Sequence, residues 1–401
     1  MKQEDRVLEE LLAERGVSRR DFLKFCGSIA AMLGMSELMV PQIAEAVTAA
    51  ASTTSLAPAV WLDGGLCTGC TESTAQSEDP DVATIVLDIL SMNYMETLMY
   101  ATGDSAEQAL RQTIEASAGK FIMVYEGSVM TGFGGNALRV AGKPGLDQIK
   151  EVAPKAAAII AVGSCAVDGG WVRSYPNAAG AMGISEYLTQ EGITTPVINL
   201  PTCPVNPVWL VAMIIDVLLL GGIDDKGKVT AAMANKLDEF GRPKLIYGQT
   251  IHDNCPRRGH FENGEFVYQF GSQEEAEGYC LYAMGCKGPQ TYTNCPIVRW
   301  NNKVSWCVNS GSPCIGCGNF NWVDEGAPFL SRTRRIGIGD VGNQKGGWNP
   351  SVVAATAGAV VVGALVVHGV GMKAAGRIGD GPPTEEMKAY DRKRMAKGGD
   401  K

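Results

Sequence analysis

Three apolar, strand-like runs end in loops that carry cysteine, and this constrains the fold more than any other feature of the chain. "PAVWLDG" leads into Cys67 and Cys70 of "LCTGCTE", "AAAIIAVG" into Cys165 of "GSC", and "TPVINLP" into Cys203 of "PTCP". Together with "ATIVLDI" and "KFIMVYEG", these runs alternate with helix-like segments up to about Gly222, the pattern of a parallel sheet covered by helices. In such a sheet the carboxyl ends of the strands share one edge, and ligands bind in the crevice there. Four cysteines remote in sequence can therefore converge on one site. Gly64, Gly65 and Gly163 allow sharp turns beside a bulky group, and Pro201 and Pro204 stiffen the last loop.

After the polar connector "DDKGKVTAAMANKLDEFGRPK" the character changes. From Tyr247 to Leu330 periodic runs are few, and the segment is expected to be held by metal sites rather than by a large apolar core. It contains "IHDNCPRRGHF", Cys280 and Cys286 in "YCLYAMGCKG", Cys295 in "TNCPIVRW", Cys307 in "SWCVNSG", and Cys314 with Cys317 in "PCIGC". The chain has twelve cysteines and only three histidines. Thiolates in groups of four, with an occasional imidazole, are what iron-sulfur clusters need. Tetrahedral zinc uses the same ligands, although the first site pairs one C-x-x-C with two single cysteines rather than with a second C-x-x-C.

The net charge of -8 gives no reason to expect a nucleic-acid partner. "SRRDFLKFCGSIAAMLGM" sets Arg19 and Arg20 before a mildly apolar run and small residues, which reads as a twin-arginine export signal over residues 1–50, cleaved between about Ala46 and Ser52. Cys26 would leave with it, and the odd number of remaining cysteines resists complete disulfide pairing. At the other end, Ser351 to Met372 carry no formal charge, and the run matches the roughly 20 residues that cross a bilayer. Lys373, Arg377, Lys388, Arg392, Lys393 and Arg394 follow, so the tail is expected to be cytoplasmic and the body to face the other side.

On the strength of the export signal, the "CTGCTE", "GSC", "PTCP", "IHDNCPRRGHFENGEF", "NCPIVRWN" and "PCIGCGNF" stretches and the C-terminal run, the chain resembles the small, electron-transferring subunit of a membrane-bound, periplasm-facing nickel-iron hydrogenase. The resemblance implies an α/β fold: a flavodoxin-like, doubly wound parallel sheet domain over 51–235 with a proximal cluster. A small irregular iron-sulfur domain over 236–335, a linker over 336–350, a transmembrane anchor over 351–372 and a basic tail over 373–401 would follow. It implies three iron-sulfur clusters. Cys67, Cys70, Cys165 and Cys203 would hold the proximal 4Fe-4S cluster, and His252, Cys255, Cys280 and Cys286 the distal 4Fe-4S cluster. Cys295, Cys314 and Cys317 would hold the medial one.

Cys307 stands where many relatives have proline. A fourth thiolate there would convert a 3Fe-4S medial cluster to 4Fe-4S, whereas a free buried thiol is the alternative. Gly69 occupies the position between Cys67 and Cys70 where oxygen-tolerant relatives carry an extra cysteine, which implies an oxygen-sensitive enzyme. The nickel-iron centre would belong to a large subunit, so no catalytic residue is expected in this chain. Electrons would leave for a membrane cytochrome b or another quinone-reducing subunit. His260 is expected to be a hydrogen-bonded structural residue, Glu72 a support of the proximal site or a helix cap, and Trp300, Trp306, Phe320 and Trp322 core packing. His368 would lie in the anchor, where Ala359 and Gly363 form a small-residue surface. The rival readings are an electron-input subunit of another quinone-linked complex without hydrogenase activity, and a disulfide-stapled binding protein.

Overall fold

The apolar runs build one five-stranded parallel sheet from β1 (Ala57–Asp63), β2 (Leu90–Met95), β3 (Ile122–Glu126), β4 (Ala158–Val162) and β5 (Val197–Leu200). Its order is β2-β1-β3-β4-β5, that of the flavodoxin-like doubly wound sheet. Ala59 pairs with Ile122, Ile122 with Ala158, and Ile159 with Val197. The computed structural model describes residues 19–32, 37–45, 57–78, 90–218, 222, 224, 229–326, 350–374, 385, 388 and 389. The run Ala83–Ile89, the cleavage window and the linker up to residue 349 lie outside them, and the second strand described starts at Leu90 instead.

Strands β3 and β4 are buried along their whole length, as strands covered on both faces must be. Alternate residues feed opposite cores because successive side chains point to opposite faces. Trp61, Val124, Ile160 and Ile198 enter one core, and Leu62, Tyr125, Ile159 and Ala161 the other. The relevant helices are α1 (Arg19–Met32), α2 (Gly69–Ala75), α3 (Asp104–Ala116), α4 (Gly145–Val152), α5 (Gly163–Asp168), α6 (Ile184–Gln190) and α7 (Pro207–Leu218). Leu110 of α3, Ile149 of α4 and Leu188 of α6 cover the second face. The nearly uniformly apolar α7 covers the first through Trp209, Leu210 and Ile214, and Phe22, Cys26 and Ala30 of α1 join the same cluster.

The cysteine-rich segment departs from expectation. Ile246, Tyr247, Ile251, Val267, Leu281, Val298, Trp306 and Val308 are buried in the first core, continuous with the sheet and α7. Its apolar residues are too sparse and aperiodic to make a core alone, but spread over one face they extend an existing one. The chain accordingly divides into the compact units Met1–Arg334 and Arg335–Lys401.

In the second unit the described residues include the helix α8 (Pro350–Ala374). Among the described residues no helix is long and apolar enough to cross a membrane. The side chains described in α8 begin at Val362, so the first half of the apolar run falls outside that statement. Those described, including Val362, Leu365, Val366, Val367 and Val370, are exposed, and so is His368.

Candidate metal centres

The first centre lies at the carboxyl edge of the sheet, where strand order reverses between β1 and β3. Cys67 and Cys70 follow β1 through a turn at Thr68, whose φ of 62° starts α2. Cys165 sits in α5 directly after β4, and Cys203 in the loop after β5. Mutual electrostatics brings the four together: Cys203 and Cys165 act on Cys70, Cys203 and Cys67 on Cys165, and Cys67 on Cys203. Burial is the main cause of the raised pKa values of Cys70, Cys165 and Cys203; it pushes Cys165 up to about 11 and Cys70 well above the ordinary thiol range. Buried thiolates are costly without a compensating cation, which is what a metal group supplies.

Glycine shapes this cradle. Gly163 has φ +80° and a Cβ there would fall on the Cys70 sulfur, while a Cβ at Gly170 would stand 2.8 Å from the Cys165 sulfur. The Val205 backbone N–H donates to Cys70 Sγ at 3.4 Å. One further residue enters the site that the sequence reading missed. Glu126, at the end of β3 and 2 % exposed, accepts hydrogen bonds from Trp61 Nε1 (3.2 Å), Cys70 N (3.0 Å) and Thr71 Oγ1 (2.6 Å). Its only signal in the sequence was a lone carboxylate closing an all-apolar strand on the ligand edge. Glu72, in the first turn of α2, is exposed.

A second centre surrounds a small pocket lined by His252, Cys255, Cys280 and Cys286. Burial, followed by the Arg258 guanidinium, holds the His252 pKa below the usual imidazole range, which favours the neutral, ligating form. Burial pushes Cys286 up to about 11. His260 lies outside this set, with Nδ1 2.6 Å from Glu265 Oε2 and its ring stacked on Tyr279 at 5.0 Å, the structural role expected of it.

The third centre brings Cys295, Cys314 and Cys317 together with Cys307, whose charge acts on all three. Thr293 Oγ1 lies 2.8 Å from Cys295 Sγ, and Gly316 N donates to Cys314 Sγ at 3.4 Å. The indole N–H groups of Trp300 and Trp306 are buried without a hydrogen-bond partner among the described residues. Polar groups so buried normally find partners, and a sulfide-bearing group beside Cys307 would offer acceptors. Trp322 is buried as well, edge-on to Trp171, and Phe320 packs against Phe240 beneath the Arg242 guanidinium.

The three centres are joined in series. Cys317 experiences Cys203 of the first centre, whose backbone N–H lowers its pKa against burial. Cys314 experiences Cys286 of the second, and Cys314 N donates to Cys286 Sγ at 3.3 Å. Lys287, only 5 % exposed, senses the charges of both Cys286 and Cys314, and burial lowers its pKa. Among the described residues no three His, Cys, Asp or Glu side chains gather closely enough to chelate one metal ion. Tetrahedral zinc would need that compact grouping, whereas iron-sulfur ligands stand around a core several atoms across.

Residues 247–330 match the family of the C-terminal part of NiFe/NiFeSe hydrogenase small subunits, and residues 67–217 match the family described as "NADH ubiquinone oxidoreductase, 20 Kd subunit". The periplasmic [NiFe] hydrogenase small subunit of Solidesulfovibrio fructosivorans is 44% identical over 324 residues, 81% of this chain and 96% of that protein. The quinone-reactive Ni/Fe-hydrogenase small chain of Wolinella succinogenes is 36% identical, over 80% of this chain and 85% of its own. Among solved structures, the [NiFeSe] hydrogenase of Desulfovibrio vulgaris Hildenborough superposes with a TM-score of 0.64 at 34% identity, covering 70% of this chain and 99% of the other. Fold and sulfur sites together define an electron-transferring subunit of an oxidoreductase. More particularly, the chain belongs to the nickel-iron hydrogenase small-subunit family and works with a large subunit in a hydrogenase complex.

Proposed function

We propose that this chain conducts electrons from the nickel-iron centre of its large subunit through three iron-sulfur clusters to a quinone-reducing partner in the membrane. The observation that carries the proposal is that Cys317 neighbours Cys203 and Cys314 neighbours Cys286, which supports a relay from the first sulfur site through the third to the second. When bound, iron-sulfur clusters supply one-electron redox steps. Cys67, Cys70, Cys165 and Cys203 would hold the proximal cluster. His252, Cys255, Cys280 and Cys286 would hold the distal one, and Cys295, Cys307, Cys314 and Cys317 a medial 4Fe-4S cluster. Backbone N–H groups of Val205, Cys314 and Gly316 donate to ligand sulfurs, bonds that stabilise the more reduced, more negative state and so raise its potential.

The direction, hydrogen oxidation with delivery to cytochrome b or another quinone-reducing subunit, is supported by the name of the quinone-reactive relative. The export signal read over residues 1–50, with the name of the periplasmic relative, supports a periplasm-facing body. The uncharged run in α8 and the exposed valines of its second half support a membrane anchor. Gly69, between Cys67 and Cys70, supports an oxygen-sensitive enzyme. The alternative, an electron-input subunit of another quinone-linked complex, is favoured by the match of residues 67–217 alone, since that half of the chain carries only the first sulfur site.

Iron, sulfide and nickel analysis of the complex purified from its membranes is the test. Three clusters per small chain with a nickel-bearing subunit are expected. A colourless protein, or iron without any nickel subunit, overturns the proposal.

A further inference from the structure

A single hydroxyl ties the first sulfur site to the third. Ser164 precedes Cys165 in α5 and is 2 % exposed. Its backbone N–H donates to Thr202 O at 3.0 Å, and its Oγ accepts from Thr202 N at 3.1 Å. The same Oγ donates its proton to Cys317 O at 2.7 Å. Thr202 precedes Cys203, so Ser164 joins the residues before two ligands of the first site to a ligand of the third, across 153 positions of sequence.

The surroundings fix the hydroxyl in this role. Asp168, one turn along α5, accepts Gly170 N at 2.9 Å through Oδ1 and the Asn321 backbone N–H through Oδ2. Arg242, 3 % exposed, reaches Gly318 O at 3.4 Å, and Tyr247 Oη donates to Pro201 O at 2.8 Å. Ser164 and Asp168 thus bond α5 directly to Cys317 and Asn321, and Arg242 and Tyr247 bond residues 242–247 to Gly318 on one side and to Pro201 on the other. A buried hydroxyl with its proton committed and its lone pair occupied has no rotational freedom left. This link runs beside the Cys203 backbone N–H that acts on the Cys317 sulfur: Cys165 and Ser164 are adjacent, and one hydrogen bond joins Ser164 to the Cys317 carbonyl.

We propose that Ser164 is the positioning residue of the proximal-to-medial step, its hydroxyl supplying a fixed hydrogen-bonded path between Cys165 and Cys317 and holding the two sites in register. This rests on the cluster assignment proposed above. One electron leaves the proximal site, which is oxidised by one unit, and enters the medial site, which is reduced by one unit. No atom or proton is transferred, and the three bonds of Ser164 are the same before and after. Hydrogen oxidation at the large subunit supplies the electron, and the membrane partner removes it.

The test compares the intact two-subunit complex with its Ser164→Ala and Ser164→Thr variants, each reduced fully and examined by electron paramagnetic resonance at two microwave frequencies. Splittings that do not scale with the field identify spin coupling between the proximal and medial signals, and its isotropic part, the through-bond exchange, is separated from the anisotropic dipolar part by simulating both spectra together. In Ser164→Ala, with iron content unchanged, the exchange part is expected to fall while the potentials and the distal signal stay in place. Ser164→Thr keeps the hydroxyl and is expected to restore the exchange. Unchanged exchange in Ser164→Ala overturns the inference while leaving the clusters themselves established. Loss of clusters from the alanine variant, with or without recovery in the threonine variant, also overturns it, since Ser164 would then hold the fold rather than the path. A wild-type complex without iron refutes the cluster assignment instead, so the two failures are distinguishable.

Discussion

The Cys314 backbone N–H donates to the Cys286 sulfur at 3.3 Å, and the Lys287 N–H returns a bond to Cys314 O at 2.8 Å. The segments carrying two ligands assigned to neighbouring sites are therefore tied by a pair of hydrogen bonds, and the buried Lys287 side chain is acted on by the charges of both ligands. A cation there favours the reduced state of both sites.

Replacing Lys287 by methionine keeps most of the volume and deletes the charge. One unit charge at about 6 Å in an effective dielectric of ~20 contributes roughly 2–3 kcal/mol, on the order of 100 mV for one electron. Both the medial and the distal potentials should fall in Lys287→Met, as read by a redox titration followed by electron paramagnetic resonance. A shift confined to one site, or none, would show that the ammonium does not act on both.

Cys307→Ala addresses the fourth medial ligand. The oxidised wild-type complex is expected to show no strong isotropic three-iron signal, and the variant is expected to gain one as the unsupported corner iron is lost. The medial potential should rise in step. A three-iron signal already present in the wild type would make Cys307 a bystander.

Glu126→Gln removes a buried anion beside Cys70 and turns one of its two acceptor oxygens into an amide donor that faces existing donors. Leaving one such group unsatisfied costs about 1–3 kcal/mol. The proximal potential should rise as the negative charge disappears, while medial and distal values stay put. Equal shifts at all three sites would point to a global change of fold rather than to the contact with Cys70.

Glu96, just beyond β2, accepts hydrogen bonds from Tyr94 Oη at 3.2 Å and Gln148 Nε2 at 3.4 Å. Burial, and then the charge of Asp63, nonetheless raise its pKa to about 6. A carboxyl whose folded pKa is raised holds its proton more tightly folded than unfolded. Its contribution is fully present below the ordinary carboxylate range and is lost as pH rises through about 6. Glu96→Gln mimics the protonated form, so its melting temperature should match the wild type in acid and exceed it increasingly up to neutral pH. A constant difference across that range would exclude Glu96 as the titrating group.

Much of this protein is written locally. The five strands, four of them at the expected runs, follow from apolar residues at strand length, and the sheet edge from the rule that parallel strands end together. The first sulfur site could be assembled from Cys67, Cys70, Cys165 and Cys203 before any coordinates, because each stands directly after a strand. The second and third sites were legible only through resemblance, since an aperiodic segment has no spacing rule that says which cysteine meets which.

Tertiary structure decided the rest. Glu126 is an ordinary strand-ending carboxylate until β3 is placed between β1 and β4, where its oxygens meet the first turn of α2. Ser164 and Lys287 are an unremarked serine and lysine until residues 314–321 dock against the loops after β4 and β5. The apolar residues of the cysteine-rich segment look too few for a core until they spread over one already made by α7 and the sheet. The sequence by itself determined which residues could bind sulfur-ligated metal and where the strands end, because both depend on residue type and near neighbours. Only the folded chain decided which sites adjoin, because that depends on hydrogen bonds and burial between residues as far apart as Ser164 and Cys317.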